Sequence, residues 1–263
     1  MIIYFSGTGN TRLVAETLGR LCNDSNIIAL RGNMLTEPEK HILDCSGDRF
    51  IVWAFPTYSW GVPPVVADYI RRVKAGADVS AVPHYMVATC GDDTGRTDRQ
   101  WESLVRQRGW NPCGAFAVIM PNTYTLMKGF DVDPADVAER KLCKMPEAVR
   151  AIAETITTGK TDRHTGLHRG RFARIKSGII YPWFKRFCMS PDPFHSTGGC
   201  TGCGLCAREC PMENIKMTGT RAEGMRPEWG KNCALCLRCY HICPNKAVAY
   251  GRSTQNKGQY INR

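Results

Sequence analysis

Eight cysteines constrain this chain more than any other feature of its sequence. They form two runs of one pattern, 33 residues apart: Cys200-x-x-Cys203-x-x-Cys206-x-x-x-Cys210-Pro211 and Cys233-x-x-Cys236-x-x-Cys239-x-x-x-Cys243-Pro244. Thiolates are soft ligands that suit iron and zinc, and three cysteines at this spacing can wrap one face of a metal–sulfur cube. A zinc module needs four cysteines in paired C-x-x-C units. That reading leaves the third cysteine and the Cys-Pro of each run unexplained. Gly202, Gly204, Ala207 and Ala234 keep the loops compact, so backbone N–H groups can approach the sulfurs. Ile215 and Val248, offset by the same spacing, are expected to open short strands over the metal sites.

On these residues the segment resembles the bacterial 2[4Fe–4S] ferredoxins. In that family the fourth cysteine of each run ligates the other cluster. The resemblance therefore implies that Cys200, Cys203, Cys206 and Cys243 hold one [4Fe–4S] cluster, and Cys233, Cys236, Cys239 and Cys210 the second.

The chain has 263 residues, comfortable for two domains. No apolar run reaches the roughly 18 residues of a membrane span. Met1 to Phe5 reads directly as a strand without a preceding basic segment or cleavage site, so a cytoplasmic protein is expected. In that compartment 14 cysteines mean metal or chemistry rather than disulfides. Cys22, Cys45, Cys90, Cys113, Cys143 and Cys188 lack ligand spacing and are expected mostly as small buried residues. The net charge of +11 is uneven. Residues 1–158 carry 17 basic against 18 acidic side chains, residues 159–199 carry 8 against 2, and residues 200–263 carry 10 against 4.

At the N-terminal end the strand Met1 to Phe5 runs into Ser6-Gly7-Thr8-Gly9-Asn10-Thr11, and then into a stretch of helical spacing. Strand, hydroxyl-rich loop and helix N-terminus together make a phosphate site. A dinucleotide fingerprint would need a third glycine where Arg12 stands, and an acidic residue after strand two, where Asn26 to Arg31 offers none. A glycine-lysine signature for a P-loop NTPase is also missing. The remaining reading is a mononucleotide phosphate held by hydroxyls. Strand three, Phe50 to Phe55, is continuously apolar, as in a strand buried on both faces. It ends in the aromatic loop Pro56-Thr57-Tyr58-Ser59-Trp60-Gly61, ahead of a helix at Val65 to Val73. Strand four, His84 to Thr89, ends in Cys90-Gly91-Asp92-Asp93-Thr94-Gly95. Strand five is Ala115 to Met120, and a helix from about Pro134 to Thr157 closes the domain. The alternation predicts a doubly wound parallel α/β sheet in the order 2-1-3-4-5.

The first loop, with Ser6, Thr8, Gly9 and Thr11 in place, resembles that of the flavodoxins over residues 1 to about 158. The resemblance implies FMN, with phosphate contacts from Ser6, Gly7, Thr8, Gly9, Asn10 and Thr11. It implies ring contacts from the loops Pro56 to Gly61 and Cys90, Gly91, Asp92 and Gly95. Tyr58 or Trp60 would stack on the flavin, unless they only cap the core. The Trp60-Gly61 peptide would face flavin N5, where glycine tolerates a conformational flip. Asp92 and Asp93 either lie near the pyrimidine edge or are solvated turn residues. The loop after strand four holds no aromatic residue, which leaves one flavin face open. Asn122-Thr123-Tyr124 could wall it, or simply turn the chain.

Residues 159–199 read as a basic, glycine- and proline-punctuated linker that contains Phe172, Tyr181, Trp183, Phe184 and Phe187. Three uses are open: aromatics packed between the domains with charges to water, a membrane surface, or an acidic protein partner. No nucleic-acid fold motif accompanies the charge. As a whole the chain resembles a two-module family, a flavodoxin domain at 1–158 fused to a small α+β two-cluster ferredoxin domain at 200–263. The resemblance implies electron transfer between FMN, the clusters and redox partner proteins. The alternatives are a flavin-dependent reductase of a small substrate and, less favoured, a redox sensor.

Overall fold

The computed structural model describes residues 1–159, 167–220 and 224–262. Residues 160–166 of the expected linker lie outside the described residues. Five parallel strands form the main sheet: β1 (Ile2–Tyr4), β2 (Ile27–Ala29), β3 (Ile51–Pro56), β4 (Pro83–Cys90) and β5 (Asn111–Ile119), in the order β2-β1-β3-β4-β5. This is the flavodoxin-like order. The register pairs Ile2 with both Ile27 and Val52, and Val52 with Tyr85. Helices α1 (Asn10–Cys22), α2 (Pro64–Arg72), α3 (Thr97–Gln107) and α4 (Ala135–Thr158) cover the two faces.

Side chains on a strand alternate between faces, and two core layers result. One holds Ile2, Val52 and Val87 against Val14 and Leu18 of α1 and Val149 and Ile152 of α4. The other holds Ile3, Trp53 and Met86 against α2 and α3. In this second layer Trp53 donates its indole N–H to His84 Nδ1 at 3.0 Å, and His84 Nε2–H donates to the Val79 carbonyl at 2.8 Å. Pro64 opens α2, where its missing N–H and fixed φ cost nothing.

The stretch expected as a linker is largely built structure. Ala173 to Phe187 is helical throughout, with a π-turn at Lys176–Ile180 leading into α5 (Tyr181–Phe187). Ser177, Tyr181 and Phe184 are buried. Phe172, Trp183 and Phe187 are exposed, while Tyr181 packs on Gly61 and Phe184 on Tyr124, both in the α/β domain. Arg169 pairs with the buried carboxylate of Asp98 and ties this segment to α3.

The cysteine-rich region is made of short elements: β6 (Phe194–Ser196), α6 (Leu205–Arg208), β7 (Ile215–Thr218), β8 (Arg226–Trp229), α7 (Arg238–Ile242) and β9 (Val248–Tyr250). β7 and β9 begin at the two residues expected from the repeat. They pair antiparallel with β8 and β6 respectively, so β6 extends the domain back to Phe194, within the stretch expected as linker. Its core is continuous with the second layer of the main sheet through Phe194, Leu235, Leu237 and Tyr240. Among the described residues no helix is long and apolar enough to cross a membrane.

Candidate functional site

The carboxyl ends of β1, β3 and β4 open into one cavity of about 360 Å³, within the size range of cofactor sites. Open α/β sheets bind ligands in this crevice because helix N-termini and loop amides converge there. Ser6, Gly7, Thr8, Asn10 and Thr11 border the cavity from the loop before α1. Pro56, Thr57, Tyr58, Ser59 and Trp60 border it from the loop after β3, and Cys90, Gly91, Asp92 and Asp93 from the loop after β4. Gly9, Gly61 and Gly95 do not. They pack instead against Asn262, the Tyr181 ring, and Ser177 with Trp60, respectively.

The polar groups of the first loop divide their work. Ser6 Oγ accepts the Gly9 N–H at 3.2 Å, and the Thr11 hydroxyl meets that of Thr89 at 2.8 Å. Asn10 donates to the Pro121 carbonyl at 2.9 Å. The Thr8 hydroxyl has no protein partner among the described residues. The buried Thr57 hydroxyl, also on the cavity wall, has none either. A hydroxyl kept dry without a partner is costly, so it fits a polar ligand edge.

The loop after β3 is a tight turn. Tyr58 and Gly61 exchange both backbone hydrogen bonds at 2.9 Å, with Ser59 and Trp60 at φ of 44° and 64°. These are left-handed conformations that disfavour side chains. The Trp60 carbonyl, expected in a peptide free to flip, accepts the Ser177 hydroxyl at 2.8 Å. Ser177 Oγ in turn accepts the Arg96 N–H at 2.7 Å. Lys176 lies 4.8 Å from the centre of the Trp60 ring and pairs with Asp93 at 2.6 Å. Asp93 is therefore a partner of the 173–187 helix. Burial, with Asp93 and Asp92 nearby, pushes the Cys90 thiol up to about 12.

The open side is walled by a stretch the sequence offered for that place and by two residues it did not. Asn122, Thr123 and Tyr124 border the cavity, and so do Trp183 and Phe184. Tyr124 packs edge-on against Phe184 and Phe130, at 6.1 and 5.7 Å between ring centres. Leu235, Cys236 and Leu237 of the cysteine region supply another wall.

That region grips the first loop directly. A side chain at Gly7 would collide with the Cys236 carbonyl, and one at Gly9 with the Asn262 carbonyl. Arg238 donates to the Gly7 carbonyl at 2.9 Å and pairs with Glu209. His241 Nε2–H donates to the Thr123 carbonyl at 2.8 Å. The C-terminal strand of chain returns over the loop. Asn262 N–H donates to the Thr8 carbonyl at 2.8 Å, and the Tyr260 hydroxyl to Asn10 Oδ1 at 2.9 Å.

The cysteines gather into two sets, each around its own small cavity: Cys200, Cys203, Cys206 and Cys243 in one, Cys210, Cys233, Cys236 and Cys239 in the other. Among the described residues no three His, Cys, Asp or Glu side chains converge on a point fit for a single ion. The thiols enclose space, as a polyatomic cluster requires. Backbone N–H groups of Asn214, Leu235 and Ala247 point at the sulfurs of Cys210, Cys233 and Cys243 at 3.3–3.4 Å. The buried indole of Trp229 borders the second cavity, with its N–H beside the Cys239 thiol. Burial pushes the Cys233 thiol up to about 11 and Cys236 to about 12. Both sit where a thiolate needs a cationic centre to be stable.

Residues 199–248 match the family described as a 4Fe–4S dicluster domain. No curated protein matches the chain. Among solved structures, a flavodoxin mutant from Fusobacterium nucleatum bound to flavin mononucleotide is 13% identical, with a TM-score of 0.39 over 60% of this chain and 94% of its own. A flavodoxin of Streptococcus pneumonia is 15% identical, with a TM-score of 0.33 over 57% and 97%. An azoreductase from Bacillus anthracis is 10% identical, with a TM-score of 0.35 over 59% and 98%. The chain thus joins an α/β domain of flavodoxin-like topology to a segment of the 4Fe–4S dicluster type.

Proposed function

We propose that this protein transfers electrons between an FMN in the sheet cavity, two [4Fe–4S] clusters in the two cysteine sets, and external redox partners. A flavin exchanges one or two electrons and a cubane one at a time, so the pair would interconvert a two-electron couple with a one-electron path. The observation that carries the proposal is the contact of Cys236 with the cavity. Its backbone packs on Gly7, and it lines the cavity with Leu235 and Leu237. The set containing Cys236 is then the inner one. The set of Cys200, Cys203, Cys206 and Cys243 lies farther along the path, near the exposed bases Arg208 and Lys246 that would face an acidic partner.

The first loop and Thr8 would hold the phosphate, and Tyr58, Trp60, Tyr124 and Phe184 would enclose the ring and exclude water. A second reading, a reductase of a small substrate, is favoured by the cavity rim. Met127, Phe130 and Trp183 border the cavity and remain 40%, 41% and 51% exposed, leaving a way in.

Anaerobically purified protein should contain about eight iron atoms and one FMN per chain. Cys243→Ser should damage the cluster of Cys200, and Cys210→Ser that of Cys233, as two distinct EPR signals. Both changes altering the same signal would defeat the crossed assignment. Zinc without sulfide would defeat the proposal. Steady turnover of a small quinone by the reduced protein would move the reading to the reductase.

A further inference from the structure

The helical stretch 173–187 has two opposed apolar faces, and only one is used within the fold. Ser177, Tyr181 and Phe184 are buried at a spacing of four and three residues. Phe172, Ile175, Ile179, Trp183 and Phe187, also three or four residues apart, are each at least half exposed. This outer stripe contains no hydrogen-bonding group except the indole N–H. Arg171, Arg174, Lys185 and Arg186 flank it, and none pairs with an acidic side chain among the described residues. Arg171 and Arg186 lie 5.5 Å from the rings of Phe172 and Phe187, so their stems cover apolar surface while their charges reach outward. On one flank lies a cleft between this stretch, α2 and α3. Its walls carry Arg71, Arg96, Arg99, Arg174 and Lys185 and one carboxylate, Asp68. Arg99 pairs with Glu102 and Asp68 with Arg72, which leaves four bases in the cleft without an acidic partner among the described residues.

We propose that this face docks the protein on an anionic lipid bilayer. An apolar stripe of Ile, Phe and Trp rimmed by Arg and Lys suits the interface between acyl chains and acidic headgroups. The cleft with its four unpaired bases would take headgroup phosphates. A second copy of the chain fits poorly, because a two-fold contact would press the same unpaired bases together. A protein partner would meet a stripe that offers almost nothing to hydrogen-bond. Trp183 belongs both to the stripe and to the cavity wall, so docking would turn the cavity mouth toward the lipid. The inference does not depend on which ligand the cavity holds.

The test is flotation of the intact, cofactor-loaded protein with vesicles of phosphatidylcholine alone or mixed with phosphatidylglycerol. Binding is expected only to the anionic vesicles and should fall with added salt. Ile179→Asp with Phe187→Asp should weaken it about tenfold or more, and Arg174→Gln or Lys185→Gln about fivefold each. Iron content and circular dichroism check that each variant is folded. Brominated acyl chains should quench tryptophan fluorescence in the bound protein, and Trp183→Phe should remove most of that quenching. No flotation with anionic vesicles would overturn the proposal, as would equal binding to neutral ones. So would a dimer in sedimentation velocity that the Ile179 and Phe187 changes convert to monomer while vesicle binding stays unaltered.

Discussion

Gly7 shows how much one missing side chain can decide. Its place is set by the neighbouring Cys236 backbone, which leaves no room for a methyl group. Gly7→Ala should therefore destabilise the protein by about 1–3 kcal/mol, read from urea unfolding. Gly178 sits in helical backbone with open space where a Cβ would stand, and Gly178→Ala should instead gain about 0.5–1 kcal/mol. Thr8 in the first loop, like Thr57, has a hydroxyl left for a ligand, and Thr8→Ala should weaken FMN binding by about 1.5–3 kcal/mol. Riboflavin, which has no phosphate, should be spared. Equal losses in two calorimetric titrations would place Thr8 away from the phosphate. His84 makes a third residue-scale prediction. Burial pushes its pKa down from 6.5 to about 4, so the unfolded chain binds a proton that the folded one refuses. Its contribution is whole above pH 6.5 and is lost as pH falls toward 4, about 3 kcal/mol in all. His84→Asn, which keeps a donor and an acceptor, should flatten that part of the stability–pH curve.

Among the elements, those with a strict period or a fixed ligand pattern were legible in the sequence. Strand Ile51–Pro56 is apolar at every position because both of its faces are covered, and helix Ala135–Thr158 ends at a left-handed Gly159. The crossed grouping of the cysteines came from the resemblance of their runs to the two-cluster ferredoxins, not from the spacing alone. Less legible were elements defined by what they touch. The 173–187 helix looked like a linker because Gly170 precedes it and Gly178 and Pro182 fall within it. Its order comes from Ser177 holding the Trp60 carbonyl and Tyr181 donating to the Val62 carbonyl, contacts across more than 100 residues. The cavity wall from Trp183 and Phe184 could not be seen for the same reason. The C-terminal strap carries no motif at all, yet Lys257 donates to the Thr125 and Met127 carbonyls, both at 2.6 Å, and Asn262 covers Thr8. Deleting residues 258–262 leaves the Thr8 carbonyl and Asn10 Oδ1 without these donors. Flavin should then leave about thirtyfold faster, as expected for the two hydrogen bonds lost at the first loop at about 1 kcal/mol each. Stopped-flow fluorescence of released flavin measures this, and an unchanged rate would show that the strap does not guard the site.

At the scale of the molecule, the second apolar layer of the sheet does not stop at the domain boundary. It passes from Phe5, Trp53 and Met86 to Leu235, Leu237 and Tyr240, with Tyr58 packed against it. Burial, and then the neighbouring Cys236 and Cys233, raise the Tyr58 phenol well above its usual range, so Tyr58 stands between the cavity and the inner cysteine set as a neutral ring. Small metal-bound domains fold largely on the free energy of their metal. Removing iron should therefore loosen Leu235 to Leu237, and with them one wall of the sheet cavity. A ferrous chelator added anaerobically to the reduced, loaded protein should release flavin in step with the loss of cluster absorbance. Two domains that merely share a tether would lose iron and keep flavin. The reverse experiment separates coupling from general unfolding. Thr8→Ala weakens flavin binding without touching a cysteine, so its clusters should persist after the flavin has gone. Flavin retained after complete removal of iron would mean that the shared core is held by its apolar contacts alone.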